Sequence, residues 1–303
     1  MSHRAFLFAF VILIVLLSIQ ACVPGLTSLE SATPGVVVTP SNLPPTPTPS
    51  ATPEPLALRV NGLGVTMREF EAERQRLQAA AVAAGQTLDA ETERERLLQE
   101  FIEQLLLAQA AYASGYQDDA TALEQKIVAL QQQLGGVDAW QKWLQENFYT
   151  EDTYRLALAR AQAAAWQQAQ IIEAVPQVTE QIHARQILVR DRDVAEQYYR
   201  QLQGGADFET LAFQVDPLTG GDLGWFPRGY LTQPALEDAV FALQPGQYTN
   251  ILESPLGYHI LYVVSRDAAR PLAPEARRTL QHQALQRWLQ DQRERAVIEV
   301  FLP

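Results

Sequence analysis

The sequence is short of cysteine, histidine and positive charge. Its 303 residues include a single cysteine, so an internal disulfide is excluded. Lysine and arginine number 23 against 35 aspartates and glutamates, and the net charge of −12 argues against a nucleic-acid partner, whose phosphates attract a basic surface. Hydrophobic residues make up 47% and charged residues 19%, which is typical of a packed globular protein. The length predicts about two domains.

The apolar run at the N-terminus is too short for an ordinary membrane-spanning helix, which needs about 20 residues. It follows Arg4 and extends from Ala5 to Ile19. A basic start, a short apolar run and small residues after it predict a secretory signal over residues 1–21. Cys22 follows and resembles the lipid-bearing cysteine of a bacterial lipobox. We therefore predict a protein outside the cytoplasm, anchored to the bacterial cell membrane by lipid. The alternative is an ordinary signal peptide or an uncleaved anchor, with an incidental cysteine.

Charged residues are nearly absent from the next segment. Between Val23 and Pro55, 19 of 33 residues are proline, threonine or serine, and the only charges are Glu30 and Glu54. Such a composition cannot bury a core, so residues 22–55 are predicted to be a polyproline-like tether. At about 3.1 Å per residue, the tether would reach roughly 100 Å when fully extended. A glycosylated stalk is an alternative that is compatible with tethering.

Residues 56–176 carry apolar side chains at spacings of three and four, which predict a mainly helical region. Leu56–Val60 alternates between apolar and polar residues as a strand does, and residues 61–62 predict a turn. Thr66 followed by Glu69 predicts a capping box at the start of the first helix. No group of histidine, cysteine or acidic residues shows metal-ligand spacing, and neither a metal nor another cofactor is predicted.

After Pro176 the pattern changes to a small mixed module. The expected order is strand, two helices, strand, helix and two strands, with the strands at 182–189, 223–226, 248–252 and 258–264. Pro274 opens a further helix, and a final strand is predicted over 297–301. We expect this C-terminal segment to pack back onto the helical region.

The mixed module contains four notable motifs: ARQILV from Ala184, GGADF from Gly204, GGDLGWF from Gly220 and GYHI from Gly257. In this order they resemble the parvulin (PpiC-type, or rotamase) prolyl isomerases. Residues 56–176 are similar to the chaperone domain of SurA- and PrsA-type foldases. The combined resemblance implies an α+β fold. In it a small antiparallel sheet with surrounding helices, residues 177–268, is inserted into a mainly α-helical chaperone domain that residues 269–303 complete.

The resemblance also implies a set of polar site residues. Asp216 occupies the position that faces the amide carbonyl, although an aspartate before a proline is also a common turn former. His259 matches the second histidine of the family, with a buried structural histidine as the alternative. Ser254 matches a hydroxyl position in the same network. Gln186 stands where the family usually has a histidine; it keeps one acceptor and two donors but cannot titrate. His183 lies an odd number of residues away and should face the other side of the strand.

The same resemblance places the proline ring of a substrate in a slot built from Leu223, Leu231 and Leu236. The family commonly has methionine near the second position and phenylalanine near the third. Leucines keep the slot apolar. The alternative for each leucine is that it is an ordinary core residue with no role in binding. Arg190 and Arg192 alone do not predict phosphopeptide binding.

The expected function is therefore prolyl cis-trans isomerisation by a lipoprotein foldase that assists the folding of secreted proteins. Its partners would be unfolded or partly folded chains that contain Xaa-Pro, together with the membrane through the lipid anchor. The alternative is a parvulin-like chaperone with weak or absent catalysis, and Gln186 keeps that alternative open. A structural envelope spacer is a third, weaker alternative.

Overall fold

The computed structural model describes residues 54–302 of the chain. The predicted signal over residues 1–21, the predicted lipidation at Cys22 and nearly all of the predicted tether over 22–55 lie outside the described residues. Within the described range, the chain forms nine helices and seven strands in two separate antiparallel sheets. The predicted α+β fold class is confirmed.

The first part of the described chain is mainly helical. Two strands are followed by five helices: β1 (Leu56–Val60), β2 (Leu63–Thr66), α1 (Met67–Ala83), α2 (Ala90–Ala113), α3 (Ala120–Leu134), α4 (Val137–Glu146) and α5 (Glu151–Glu173). The Thr66 side chain accepts the backbone N–H of Glu69 at 3.1 Å, as the capping motif predicts. The Glu69 carboxylate pairs with Arg160 of α5, however, so the structure ties α1 to α5 through that residue.

The mixed module follows and is itself followed by a helix and a strand. Its elements are β3 (Val178–Val189), α6 (Arg192–Gln203), α7 (Phe208–Val215), β4 (Asp222–Pro227), α8 (Pro234–Phe241), β5 (Leu252–Ser254) and β6 (Gly257–Pro271). The chain then forms α9 (Pro274–Arg295) and β7 (Ile298–Val300). Among the described residues, no helix is both long and apolar enough to cross a membrane.

The C-terminal segment packs against the helical part. β7 lies antiparallel to β1, with Val60 opposite Ile298 and Leu58 opposite Val300, and this pairing completes a sheet in the order β2-β1-β7. Leu289 of α9 is buried in one cluster with residues of α2 and α5. Because apolar burial drives such packing, the tail contributes directly to the core of the helical part.

The second sheet has the strand order β4-β3-β6-β5, and helices cover both of its faces. On one face, Ile187 and Ile260 pack against Phe208 and Leu211, from the start and middle of α7. On the other face, residues of β3, β4 and β6 share a buried cluster with α8: Ile182, Ala184, Phe226, Leu236, Val240, Phe241, Leu261 and Val263. Alternation along β3 sends successive side chains to opposite faces, so Gln186 lies on the α8 face and Ile187 on the other.

Two details of strand placement were wrong or missed. The predicted strand over 248–252 lies beside β6, but the ladder that forms β5 begins only at Leu252. The reason is local, because the Leu261 N–H donates to the Thr249 hydroxyl at 3.0 Å and this side chain takes the place of a backbone acceptor. β2 was not predicted as a strand, since it has only four residues and one of them is Gly64, a residue type that is depleted in strands.

Candidate active site

A chain of hydrogen bonds joins three of the predicted polar residues on the α8 face of the second sheet. His259 of β6 is only 2% exposed. Its Nε2 lies 2.7 Å from the Ser254 hydroxyl, and its Nδ1 lies 3.1 Å from the Gln186 amide oxygen. Strand pairing explains the meeting, because His259 is opposite Leu188 of β3, two residues from Gln186 and on the same face.

The bonding pattern defines how His259 is protonated. An amide oxygen can only accept, so Nδ1 carries the proton and donates it to Gln186. Nε2 is then the acceptor of the Ser254 O–H, while the Ser254 oxygen also accepts the Leu256 N–H at 3.0 Å. Burial lowers the pKa of His259 below its usual value, which favours this neutral form at neutral pH. The two N–H groups of the Gln186 amide remain as donors at the end of the chain.

Two glycines of the recognised motifs allow the site loops to approach β3 closely. Gly221 has φ of +65°, and a Cβ at this position would lie 1.9 Å from the Gln186 carbonyl oxygen. The Gln186 N–H donates to the Gly221 carbonyl at 2.8 Å, so this glycine fixes the backbone of a site residue. Gly257 has φ of +135°, and a Cβ there would lie 2.4 Å from the Val189 carbonyl oxygen. Any larger residue at either position would push the loop away from the strand.

Asp216 lies at the end of α7, and its carboxylate organises the loop that follows. It accepts the backbone N–H groups of Leu218 at 3.1 Å and Thr219 at 3.3 Å, and it also accepts the Thr219 hydroxyl. These bonds, led by the one from the Thr219 side chain, lower the pKa of Asp216, so the group is ionised at neutral pH. The geometry is that of the turn-forming alternative. A role for Asp216 at the substrate carbonyl stays a prediction.

The three predicted slot leucines converge on one apolar cluster. Leu236 is buried at 5% exposure, whereas Leu223 and Leu231 are half-buried against the same core. Leu231 also lines a cleft of about 640 Å³ between α2, α9 and the segment that precedes α8. The accessible apolar surface near the site therefore comes from Leu223 and Leu231, while the buried Leu236 packs in the same cluster.

Sequence reasoning missed the residue that holds the Leu231 segment in place. The Glu237 carboxylate accepts three successive backbone N–H groups, from Gly229 at 2.7 Å, Tyr230 at 3.0 Å and Leu231 at 3.1 Å. The sequence did contain a signal, because Glu237 is an acidic residue in the first turn of a helix that begins with proline. Acidic residues in a first turn often accept hydrogen bonds from nearby backbone N–H groups.

Arg185 is a second missed residue. Its guanidinium donates to the Gly220 carbonyl at 3.2 Å and forms an ion pair with Glu209 at 3.0 Å. It thereby ties the loop between Asp216 and β4 to β3. His183, in contrast, takes no part in the His259 chain, since its Nε2 lies 2.8 Å from the Asp222 carboxylate and its ring stacks on Trp225. Across the described residues, no group of three or more histidine, cysteine or acidic side chains could hold a metal ion.

Comparison with known proteins assigns this module to a family. The family model described as Rotamase, PPIC-type PPIase domain, matches residues 174–265. Those residues are a PPIC-type PPIase domain. The match covers all four motifs and all but the last three residues of the predicted parvulin segment, so the resemblance drawn from the motifs is confirmed.

Curated relatives of the PPIase domain include chaperones and foldases. The chaperone SurA of Nitrosospira multiformis is 33% identical over 152 residues, which cover 43% of this chain and 34% of the relative. The foldase protein PrsA of Caldanaerobacter subterraneus is 41% identical over 87 residues, covering 27% of this chain and 28% of the relative. The chain thus spans about a third of the length of the curated relatives it matches.

A solved structure also aligns with a larger part of the chain. The crystal structure of the peptidylprolyl isomerase PrsA from Bacillus cereus covers 76% of this chain and 83% of that chain, with 20% identity and a TM-score of 0.42.

Proposed function

We propose that the chain is a prolyl cis-trans isomerase and foldase that acts on unfolded secreted polypeptides containing Xaa-Pro. The observation that carries the proposal is the bonded set Gln186, His259 and Ser254, which lies on the same sheet face as the Leu223 and Leu231 apolar surface inside a PPIase domain. No nucleophile or metal is needed, because the reaction rotates a bond and breaks none.

The site residues can lower the barrier by favouring a twisted amide. The barrier of about 18–20 kcal/mol comes from amide resonance. Twisting returns the lone pair to the prolyl nitrogen, which then accepts a hydrogen bond, and it removes partial negative charge from the carbonyl oxygen. An N–H donor such as the Gln186 amide stabilises the first change, and an anionic group such as Asp216 near the carbonyl favours the second. In this proposal His259 and Ser254 are positioning residues that hold the Gln186 amide.

The proposed domain arrangement is an insertion. Residues 177–268 would form the isomerase domain, and residues 56–176 with 269–303 would form one chaperone domain. The pairing of β1 with β7 and the burial of Leu289 among α2 and α5 support this division. The cleft lined by Leu231, α2 and α9 would then open between the two domains.

The proposed location is outside the cytoplasmic membrane, with a lipid on Cys22 and a tether over residues 22–55. The sequence of this N-terminal region supports the proposal: a short apolar run, one cysteine and a segment rich in proline and threonine. A single acyl chain binds membranes only marginally, so stable anchoring would require at least two.

A second candidate function is chaperone activity without catalysis, and Gln186 is the observation that favours it. Two assays on the full chain separate the candidates: acceleration of a refolding reaction limited by prolyl isomerisation, and suppression of aggregation of the same client. The isomerase proposal predicts that Ser254→Ala slows the first activity about tenfold and leaves the second unchanged. Equal refolding rates with wild type, with Ser254→Ala and without the protein would support the second candidate and refute the first.

A further inference from the structure

Two exposed leucines flank the candidate site. Leu218 is 92% exposed and Leu256 is 59% exposed. Each lies two residues after a predicted site residue, Asp216 for the first and Ser254 for the second. Turns ordinarily hold polar residues or glycine and proline, and a leucine in water forgoes the free energy of burial. Exposure alone does not indicate a function, since Leu156 on α5 is 63% exposed. The position of Leu218 and Leu256 on the two sides of the candidate site does indicate one.

Both leucines are carried on backbone that the site's own polar groups hold. The Leu218 N–H donates to the Asp216 carboxylate at 3.1 Å, and the Leu256 N–H donates to the Ser254 hydroxyl at 3.0 Å. The turn that carries Leu256 also packs tightly against the end of β3 through Gly257. A side chain presented on a fixed backbone loses little entropy when a partner binds, so it can contribute to affinity at low cost.

The sheet order places the two leucines on opposite sides of the Gln186–His259 pair. The loop with Leu218 leads into β4 at one edge, and the turn with Leu256 joins β5, at the other edge, to β6. The loop and the turn are two to three strand spacings apart, or about 10–14 Å. An extended chain advances about 3.4 Å per residue, so roughly three to four residues of a bound peptide would span this distance.

We propose that Leu218 and Leu256 are specificity-determining residues that contact apolar side chains on the two sides of the substrate proline. The proposal rests on the proposed isomerase function and narrows its substrate class to segments in which proline is flanked by large apolar residues. Such segments belong to the cores of folded proteins, so they are accessible only in unfolded chains.

The test compares two peptides, one with leucine on both sides of proline and one with serine on both sides. For the full chain, Leu218→Ser and Leu256→Ser should each lower kcat/KM for the leucine peptide about three- to tenfold, the range expected for losing part of one buried leucine. The serine peptide should change less than about twofold. Leu156→Ser is the matched control and should change neither peptide. Equal effects on both peptides, or no effect on either, would overturn the proposal.

A binding measurement separates this proposal from the isomerase function. If wild type catalyses neither peptide, the proposed function fails, yet the dissociation constants of the same two peptides still test the leucines by fluorescence anisotropy. Weaker binding of the leucine peptide by Leu218→Ser and Leu256→Ser, and not by Leu156→Ser, would support the assignment. Unchanged dissociation constants, or no measurable binding of the leucine peptide to wild type, would refute it.

Discussion

Substituting Leu289 with alanine tests whether α9 belongs to the core of the helical part. The side chain is 7% exposed and packs with Leu107, Ala111 and Ala163. The change removes three carbon atoms from the cluster, about 2.4 kcal/mol of transfer free energy at roughly 0.8 kcal/mol each. The cavity that remains adds to this loss, so the free energy of unfolding should fall by about 2–4 kcal/mol. Small domains have only about 5–15 kcal/mol in total, so the effect is large.

Urea unfolding followed by tryptophan fluorescence measures this change. Of the five tryptophans, four lie in the helices of this part: Trp140, Trp143, Trp166 and Trp288. With an m-value of about 2 kcal/mol/M, the midpoint should move down by about 1–2 M. Gln286→Ala, at an exposed position on the same helix, is the control and should change the free energy by less than about 0.5 kcal/mol. Identical midpoints for the two variants would show that α9 does not pack on α2 and α5.

Two further predictions concern a loop and a partly buried carboxyl group. Gly221→Ala should displace the loop from Gln186 and abolish isomerisation, because its Cβ would overlap a backbone oxygen. Gly224→Ala is the control, since Gly224 has φ of +68° with open space around it. This control should lower the free energy of unfolding by only about 1 kcal/mol. Burial, followed by the charge of Glu73, raises the pKa of Glu100 to about 7, above its unfolded value of 4.5. The folded state then binds a proton that the unfolded state releases, so stability should rise by up to about 3 kcal/mol as pH falls from 8 to 5. Glu100→Gln should remove this difference in denaturant titrations at the two pH values, and an undiminished difference would contradict the assignment.

Motifs whose residues are required by the local backbone geometry could be interpreted from the sequence. The GGDLGWF and GYHI segments indicated the PPIase sheet, and the structure shows why their glycines are required: Gly221 and Gly257 each approach β3 more closely than a Cβ allows. The meeting of Gln186 and His259 was also predictable, because both lie in motifs and on strands that pair. Ser254 lies outside the motifs and was expected from the family resemblance, on the strand that pairs with the other side of β6.

Features set by distant contacts could not be predicted. The pairing of β7 with β1 joins residues about 240 apart in sequence, and no local pattern specifies such a partner. The delayed start of β5 depends on one side-chain bond from Thr249. Asp216 illustrates a different limit. The sequence favoured a substrate-facing group and allowed a turn former as the alternative, and only the bonds within the loop show that the carboxylate does form the turn.

The rate of Xaa-Pro isomerisation by the full chain tests the central claim most directly. The account predicts a rate above the uncatalysed one for wild type, a rate at least as high for Gln186→His, and a loss of about tenfold or more for His259→Ala. Unfolding curves for each variant identify any loss that comes from misfolding. Uncatalysed rates for wild type and Gln186→His alike, in chains that are folded, would contradict the claim that this site is a prolyl isomerase.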